Sequence, residues 1–378
     1  MREESWVLGV DESGRMRAGD GLVGGVLLRV DDTVANAQVL RDRLLELVPG
    51  VPWPLHATDL RRPATHALAW FAPQKRRVTL FAEDEGRCAK AVDLIECSEH
   101  PVLKKAVDDA RAGRWGKIDF KAVDRALIDD APASRGPLRA LATDRFVRLG
   151  RFVGSLSEEL GTDGCFGLLA AGPDDGALGV PVPGGIGSDR YLALLEVLFE
   201  RMLLLHCVTD VHRTVHVRVA TRYIEEKLGA RRGFPLRAQD WLALFQRAAE
   251  GVETRLGARA RRPRVIAPEI VTKYDQNVHP VVVLADLLAN SSLSMVRQER
   301  LSHRTFEGHV RRRAGLALRA PAESLSSRPV LSAVAAGGSF RAAVDAAMAG
   351  GPSVPFGERP RWAGEQAAEW IAAAEQDR

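Results

Sequence analysis

The sequence predicts an α/β fold with a mixed sheet, and three observations predict it. Two short apolar runs, Trp6 to Val10 and Leu22 to Val30, flank a polar, glycine-dotted segment and read as an antiparallel hairpin. From Cys165 to Arg297, strand-like runs alternate with helical periodicities, which implies parallel crossovers. Residues 64–160 carry charged, helical patterns with no strand-like alternation, so they read as a helical insertion in the α/β core.

The hairpin loop, about ten residues, is longer than a tight turn needs and has room to carry function. The first run ends abruptly in Asp11-Glu12-Ser13-Gly14. A buried strand that ends in acids is either leaving the core or presenting a metal site. Asp31-Asp32-Thr33 offers an N-cap to a helix whose apolar positions are Val34, Leu40, Leu44, Leu45 and Val48, closed by Pro49-Gly50. A proline-rich loop from Val51 to Pro63 then holds His56 and Asp59, which read from the sequence as caps of the next helix. Within the insertion, helices are expected over 73–95, 101–111, 120–129 and 137–160, with breaks near Pro101, Gly113 to Gly116 and Pro132 to Pro137.

Beyond the insertion, 165–171 reads as a buried strand and 172–187 as a loop. Ser188-Asp189 caps a helix through Cys207 that is apolar on more than one side. Thr214 to Ala220 alternates, with Val215, Val217 and Val219 on one face and His216 and Arg218 on the other. After a helix over 238–257 comes the strand Arg264 to Val271, where Pro268 argues for an edge, a bulge or an interruption. A helix from Pro280 to Arg297 follows, and then an alanine-rich tail expected to form short helices. The expected division is 1–60 for the hairpin and first helix, 61–162 for the insertion, 163–298 for the rest of the core and 299–378 for a helical extension.

The chain has 378 residues, 46% hydrophobic and 27% charged, with a net charge of +4, an ordinary balance for a globular protein. The mild basic excess is compatible with a nucleic-acid partner without requiring one. Arg297, Arg300, Arg304, Arg311, Arg312 and Arg313 form the densest basic cluster, read either as a nucleic-acid-facing patch or as a solvated helix end. Four cysteines without paired short spacing form no zinc signature and imply no disulfide framework. No apolar run reaches the ~18 residues that span a bilayer, and no signal peptide precedes the first strand, so no membrane role and a cytoplasmic location are expected. An oligomer is compatible with all of this. The sequence shows no Gly-x-Ser-x-Gly elbow and no P-loop, so serine or cysteine nucleophile schemes lack support.

Asp286 stands out on physical grounds alone. It lies between Leu284 and Leu287-Leu288 on an otherwise apolar helix, where a carboxylate needs a cation or hydrogen bonds to offset desolvation.

Two stretches also carry a resemblance. Val10-Asp11-Glu12-Ser13-Gly14 followed by Gly24-Gly25-Val26-Leu27-Leu28 resembles the opening of the family known as domain of unknown function 3800. Leu284-Ala285-Asp286-Leu287-Leu288-Ala289 is similar to that family's late helix. The resemblance implies a ribonuclease H-like core with acids around one or two divalent cations. It implies Asp11 and Asp286 as ligands of Mg²⁺ or Mn²⁺, with Glu269 and Glu12 as further candidates. Glu12 either serves as a ligand or, as Asp11's neighbour on a strand, points away. His56 or His279 would orient groups or transfer protons. Such cations activate water and stabilise a leaving oxygen at phosphorus.

One departure matters. The strand that often ends in an acid in that family reads Val219-Ala220-Thr221-Arg222 here, with no acid until Glu225. Two expectations therefore stand side by side: a divalent-metal-dependent nuclease or phosphodiesterase acting on DNA or RNA, and a catalytically impaired module that binds nucleic acid or a protein partner.

Overall fold

A seven-stranded mixed sheet is built around β1 (Glu3–Ser13). The structure, a computed structural model, describes residues 3–14, 21–72, 85–160, 164–171, parts of 191–203, 212–220, 223–224, 234–235, 244–250, 264–271, 277–296, 318–319 and 331–335. β1 pairs antiparallel with β2 (Leu22–Leu28), which pairs antiparallel with β3 (Cys165–Ala171). On its other side β1 pairs in parallel with β4 (His212–Ala220). A two-stranded ribbon, β5 (Tyr223–Ile224) with β6 (Phe234–Pro235), stands apart from the sheet. β7 (Arg264–Val271) then pairs in parallel with β4, so the class is α/β, as the alternation predicted. β7 is an edge strand and its register slips between His216 and Arg218 of β4. Both features are what Pro268 requires, since proline cannot donate to a ladder.

The tail departs from expectation. Among the described residues it supplies β8 (Leu318–Arg319) and β9 (Leu331–Ala335), and β9 pairs antiparallel with β3. Alanine-rich composition favours helix, but the unpaired edge of β3 offers a row of backbone partners that outweighs this weak preference.

Both faces of the sheet are covered. Trp6, Leu8 and Val10 point to one face, where Trp6 stacks on Phe166 with ring centroids 5.8 Å apart. Helical residues between 191 and 203 lie on that face: a Cβ on Gly25 would meet Leu198 and Leu8 at 3.3 Å. The described part of this helix is buried at Leu195, Leu198, Phe199 and Met202, as its all-round apolarity predicted.

The chain forms two compact units, one from residues 1–37 and 150–378 and the other from 38–149. Most of α1 (Val34–Leu47) therefore belongs to the second unit, and the first unit resumes in the middle of a long helix. Leu40, Leu44 and Val48 are buried as the stripe predicted, whereas Val34 is 88% exposed. It is the first helical residue and precedes the stripe.

The second unit is helical throughout its described residues. α2 (Ala57–Leu60), α3 (Pro63–Ala69), α4 (Glu85–Glu96), α5 (Pro101–Arg111) and α6 (Phe120–Asp129) enclose a core that includes Leu68, Phe71, Val92, Leu103, Val107 and Leu127. α7 (Pro132–Glu159) starts five residues before the predicted helix and runs through Pro137. Pro132 takes the first helical position, where a missing N–H costs nothing, and Pro137 follows in the second turn at the loss of one backbone bond.

Candidate functional site

The site is built where the last described helix of the first unit, α8 (Pro280–Val296), lies on β1 and β2. Two glycines let it approach. A Cβ on Gly9 would lie 2.2 Å from the Val281 carbonyl oxygen. A Cβ on Gly24 would lie 2.9 Å from the Ala289 Cβ and 3.2 Å from the Ala285 carbonyl. Backbone packs against backbone here, which no larger residue permits.

This contact fixes the direction of Asp11. Asp11 pairs with Gly24 across the ladder, and directly opposed residues share a face. Asp11 therefore lies on the α8 side, level with Ala285 and Ala289, and is 1% exposed. Asp286 follows Ala285 on the helix and is 8% exposed; Asn290, one turn further, is buried as well. From Gly9 to Asp11 the strand advances ~7 Å, and from Val281 to Ala285 the helix rises ~6 Å, so helix and strand keep pace. The fold thus brings the two acids singled out in the sequence to one level of one helix–sheet interface. Asp11 Oδ1 accepts a 2.7 Å hydrogen bond from the Glu12 N–H.

Other candidate residues fall elsewhere. Glu12 pairs with Val23 and, by alternation, is directed to the face opposite Asp11, so it cannot join Asp11 on the α8 side. Glu269 is in β7 opposite Arg218 of β4; its side chain lies outside the described residues. His56 begins α2 within the helical unit, and its side chain makes no cap bond there. Arg297, Arg300, Arg304, Arg311, Arg312 and Arg313 lie outside the described residues. Among the described residues, no group of three or more His, Cys, Asp or Glu side chains is arranged to hold a metal ion.

A second polar cluster lies below the acids, at the start of α8. Asp32, expected only as a helix cap, leaves capping to Thr33, whose hydroxyl accepts the Asn36 N–H at 3.2 Å. Asp32 Oδ2 instead accepts from Arg218 at 2.6 Å and lies 3.1 Å from His216 Nδ1, and its Oδ1 is 3.7 Å from His279 Nε2. Arg218 and His216 are in register with Gly9 and Val7, so they too face α8. His279 Nδ1 accepts the Val281 N–H at 3.3 Å, so in the neutral ring Nε2 carries the proton. Burial, then the Arg218 charge, lowers the His279 pKa to about 4 against the opposing pull of Asp32, and the ring is neutral at pH 7.

The sequence did hold a signal for this cluster. Val215, Val217 and Val219 cover one face of β4, and the crossovers that parallel pairing requires cover the second face too. Arg218 on that second face demands a counter-charge.

Cys165, buried in β3, has its thiol pKa pushed up to about 12 by desolvation, which disfavours the nucleophilic thiolate there at neutral pH. No described helix is long and apolar enough to cross a membrane. Compared with models of protein families, with curated proteins and with solved structures, the chain has no match.

Proposed function

We propose that the chain is a divalent-cation-dependent nuclease or phosphodiesterase with a ribonuclease H-like core. The observation that carries this reading is the placement of Asp11 and Asp286, two buried carboxylates from distant parts of the sequence, at one level of the β1–α8 interface. The sheet supports it: an N-terminal antiparallel hairpin, β1 with β2, stands in a mixed sheet that β4 and β7 continue in parallel.

Carboxylate oxygens suit a hard cation such as Mg²⁺ or Mn²⁺, and two carboxylates leave positions for water and a phosphate oxygen. Bound there, the cation would supply Lewis-acid activation of water and charge stabilisation at phosphorus. Asp11 and Asp286 would be its ligands, with Glu269 of β7 as the third. Apolar neighbours Leu284, Leu287 and Leu288 keep the acids in a dry setting, where attraction for a cation exceeds that of a solvated pair. His279, tied to the Val281 N–H and facing Asp32, helps to place the helix rather than move protons.

A second reading is favoured by β4. Its polar positions facing α8 are His216 and Arg218, and Arg218 is bonded to Asp32, so this strand brings no acid to the site. On that reading the protein is an impaired module that binds nucleic acid or a protein partner.

Cleavage of single- and double-stranded DNA and RNA, assayed with Mn²⁺ for wild type and Asp11→Ala, separates the two. The nuclease reading requires cleavage by wild type alone. Binding without cleavage by either protein, with affinity falling steeply as salt rises, would establish the module instead.

A further inference from the structure

We infer that Asp32 is a positioning residue: through Arg218 and His279 it pins the first turn of α8 to the sheet and thereby sets Asp286 level with Asp11. The inference rests on the acid-pair reading for its consequence, but the pinning itself stands on separate geometry.

Asp32 is at the β2–α1 junction, far from α8 in sequence, with its side chain 10% exposed. It joins three elements. Arg218 and His216 fasten it to β4 beneath Val7 and Gly9, and His279 Nε2 approaches it from the residue before α8. His279 also holds the helix end: its Nδ1 accepts the Val281 N–H, and its carbonyl accepts the Val282 N–H at 2.9 Å. The carbonyl of that same Val281 is the group pressed on Gly9. Asp286 comes little more than one turn later, so a shift of the first turn is carried rigidly to its carboxylate. Removing the charge of Asp32 leaves Arg218 without this carboxylate and takes from His279 Nε2 the negative charge it faces at 3.7 Å, so the imidazole is held by the Val281 N–H alone among these contacts. The helix start then loses its fixed place on β4.

The test uses the full chain and two readouts, amide hydrogen exchange and Mn²⁺ binding followed by electron paramagnetic resonance. In Asp32→Asn, amides from Val281 to Asp286 should exchange about 10-fold faster while those of β1 hold, because local opening is confined to the helix start. Mn²⁺ affinity should fall about 10-fold, the lower end of what loss of a supporting partner costs a metal site. Asp32→Glu, which keeps the carboxylate, should recover part of both. His279→Asn serves if Asp32→Asn does not fold: asparagine still caps the helix but does not reach Asp32, so the same two changes are expected in smaller measure.

Unchanged exchange and unchanged Mn²⁺ affinity in folded Asp32→Asn overturn the inference. If Asp11→Asn then abolishes Mn²⁺ binding, the acid-pair reading survives on its own. If wild type binds no Mn²⁺, that reading fails, and the exchange data alone decide whether Asp32 pins α8.

Discussion

The two units treat buried polar groups in opposite ways. In the helical unit, each such group serves a helix end or an adjacent turn. Ser134 donates to the Ala131 carbonyl, Asp109 pairs with Arg114 just past the end of α5, and Asp124 accepts the Ala64 N–H at the start of α3 while bonding Arg62. Ser98 donates to Asp130, joining the ends of α4 and α6. His66 Nε2 donates to the Leu60 carbonyl at 2.7 Å and its Nδ1 accepts from Arg145 at 3.3 Å. In the sheet unit, polar groups gather in two layers along one helix–sheet interface: Asp32 with Arg218, His216 and His279, then Asp11 with Asp286 and Asn290. Helix-end capping and local side-chain pairing account for the first pattern. They do not call for two carboxylates at one level in the second, and that excess is what points to chemistry.

The contrast can be broken most directly at Asp11. Asp11→Asn keeps the shape and removes the charge, and cleavage should fall roughly a thousandfold, the equivalent of several kcal/mol of lost charge stabilisation. Thermal stability should hold or rise, because a carboxylate buried at 1% exposure is replaced by a neutral group of the same shape. Cleavage at the wild-type rate would place the chemistry elsewhere.

Gly9→Ala should do the reverse, costing stability by about 3 kcal/mol because its Cβ would collide with the Val281 backbone. Urea denaturation measures the loss; a cost near zero would mean that α8 does not rest on β1 as described.

In the helical unit, His66→Ala should cost about 2 kcal/mol, since the Leu60 carbonyl and the Arg145 guanidinium both lose a buried partner. Denaturation monitored in that unit checks it, and cleavage with saturating substrate is the control.

Acid should sharpen the comparison further. Burial lowers His66 to about 3, with Arg145 acting in the same sense, and lowers His279 to about 4. In both cases the folded protein holds the neutral ring, while the unfolded chain takes up a proton below the ordinary value of 6.5. Stability is therefore full above pH 6.5 and declines toward pH 3–4, each histidine removing ~1.4 kcal/mol for every pH unit crossed. Hydrogen exchange between pH 7 and 4 should show this decline around both residues. His66→Gln should flatten it in the helical unit only. The smallest effect is expected for Asp124→Ala, about 1 kcal/mol through the lost cap of α3.

Much of the scaffold is legible in sequence because its signals are local. The alternation of Val215, Val217 and Val219 marks β4, and Pro268 marks β7 as an irregular edge strand. The periodicities of 101–111 and 120–129 coincide with α5 and α6. The misreadings have local signals that a distant partner overrides. Ala333 and its neighbours favour helix in isolation, yet β9 forms because β3 has an open edge. Asp32 looks like a cap, yet the Arg218 guanidinium, 186 positions later, claims it. For the candidate site, each acid could be named from its own neighbours: Asp11 from the sudden end of an apolar run, Asp286 from its apolar surroundings.

The sequence by itself determined most of the core strands and helices and which carboxylates are energetically out of place, because periodicity and desolvation act through near neighbours. The tertiary structure alone decided that Asp11 turns toward α8 while Glu12 turns away, that Asp32 joins β4 and α8, and that Asp286 arrives level with Asp11. Those outcomes depend on strand register and on how closely a helix can approach glycine backbone, and no window of sequence contains either.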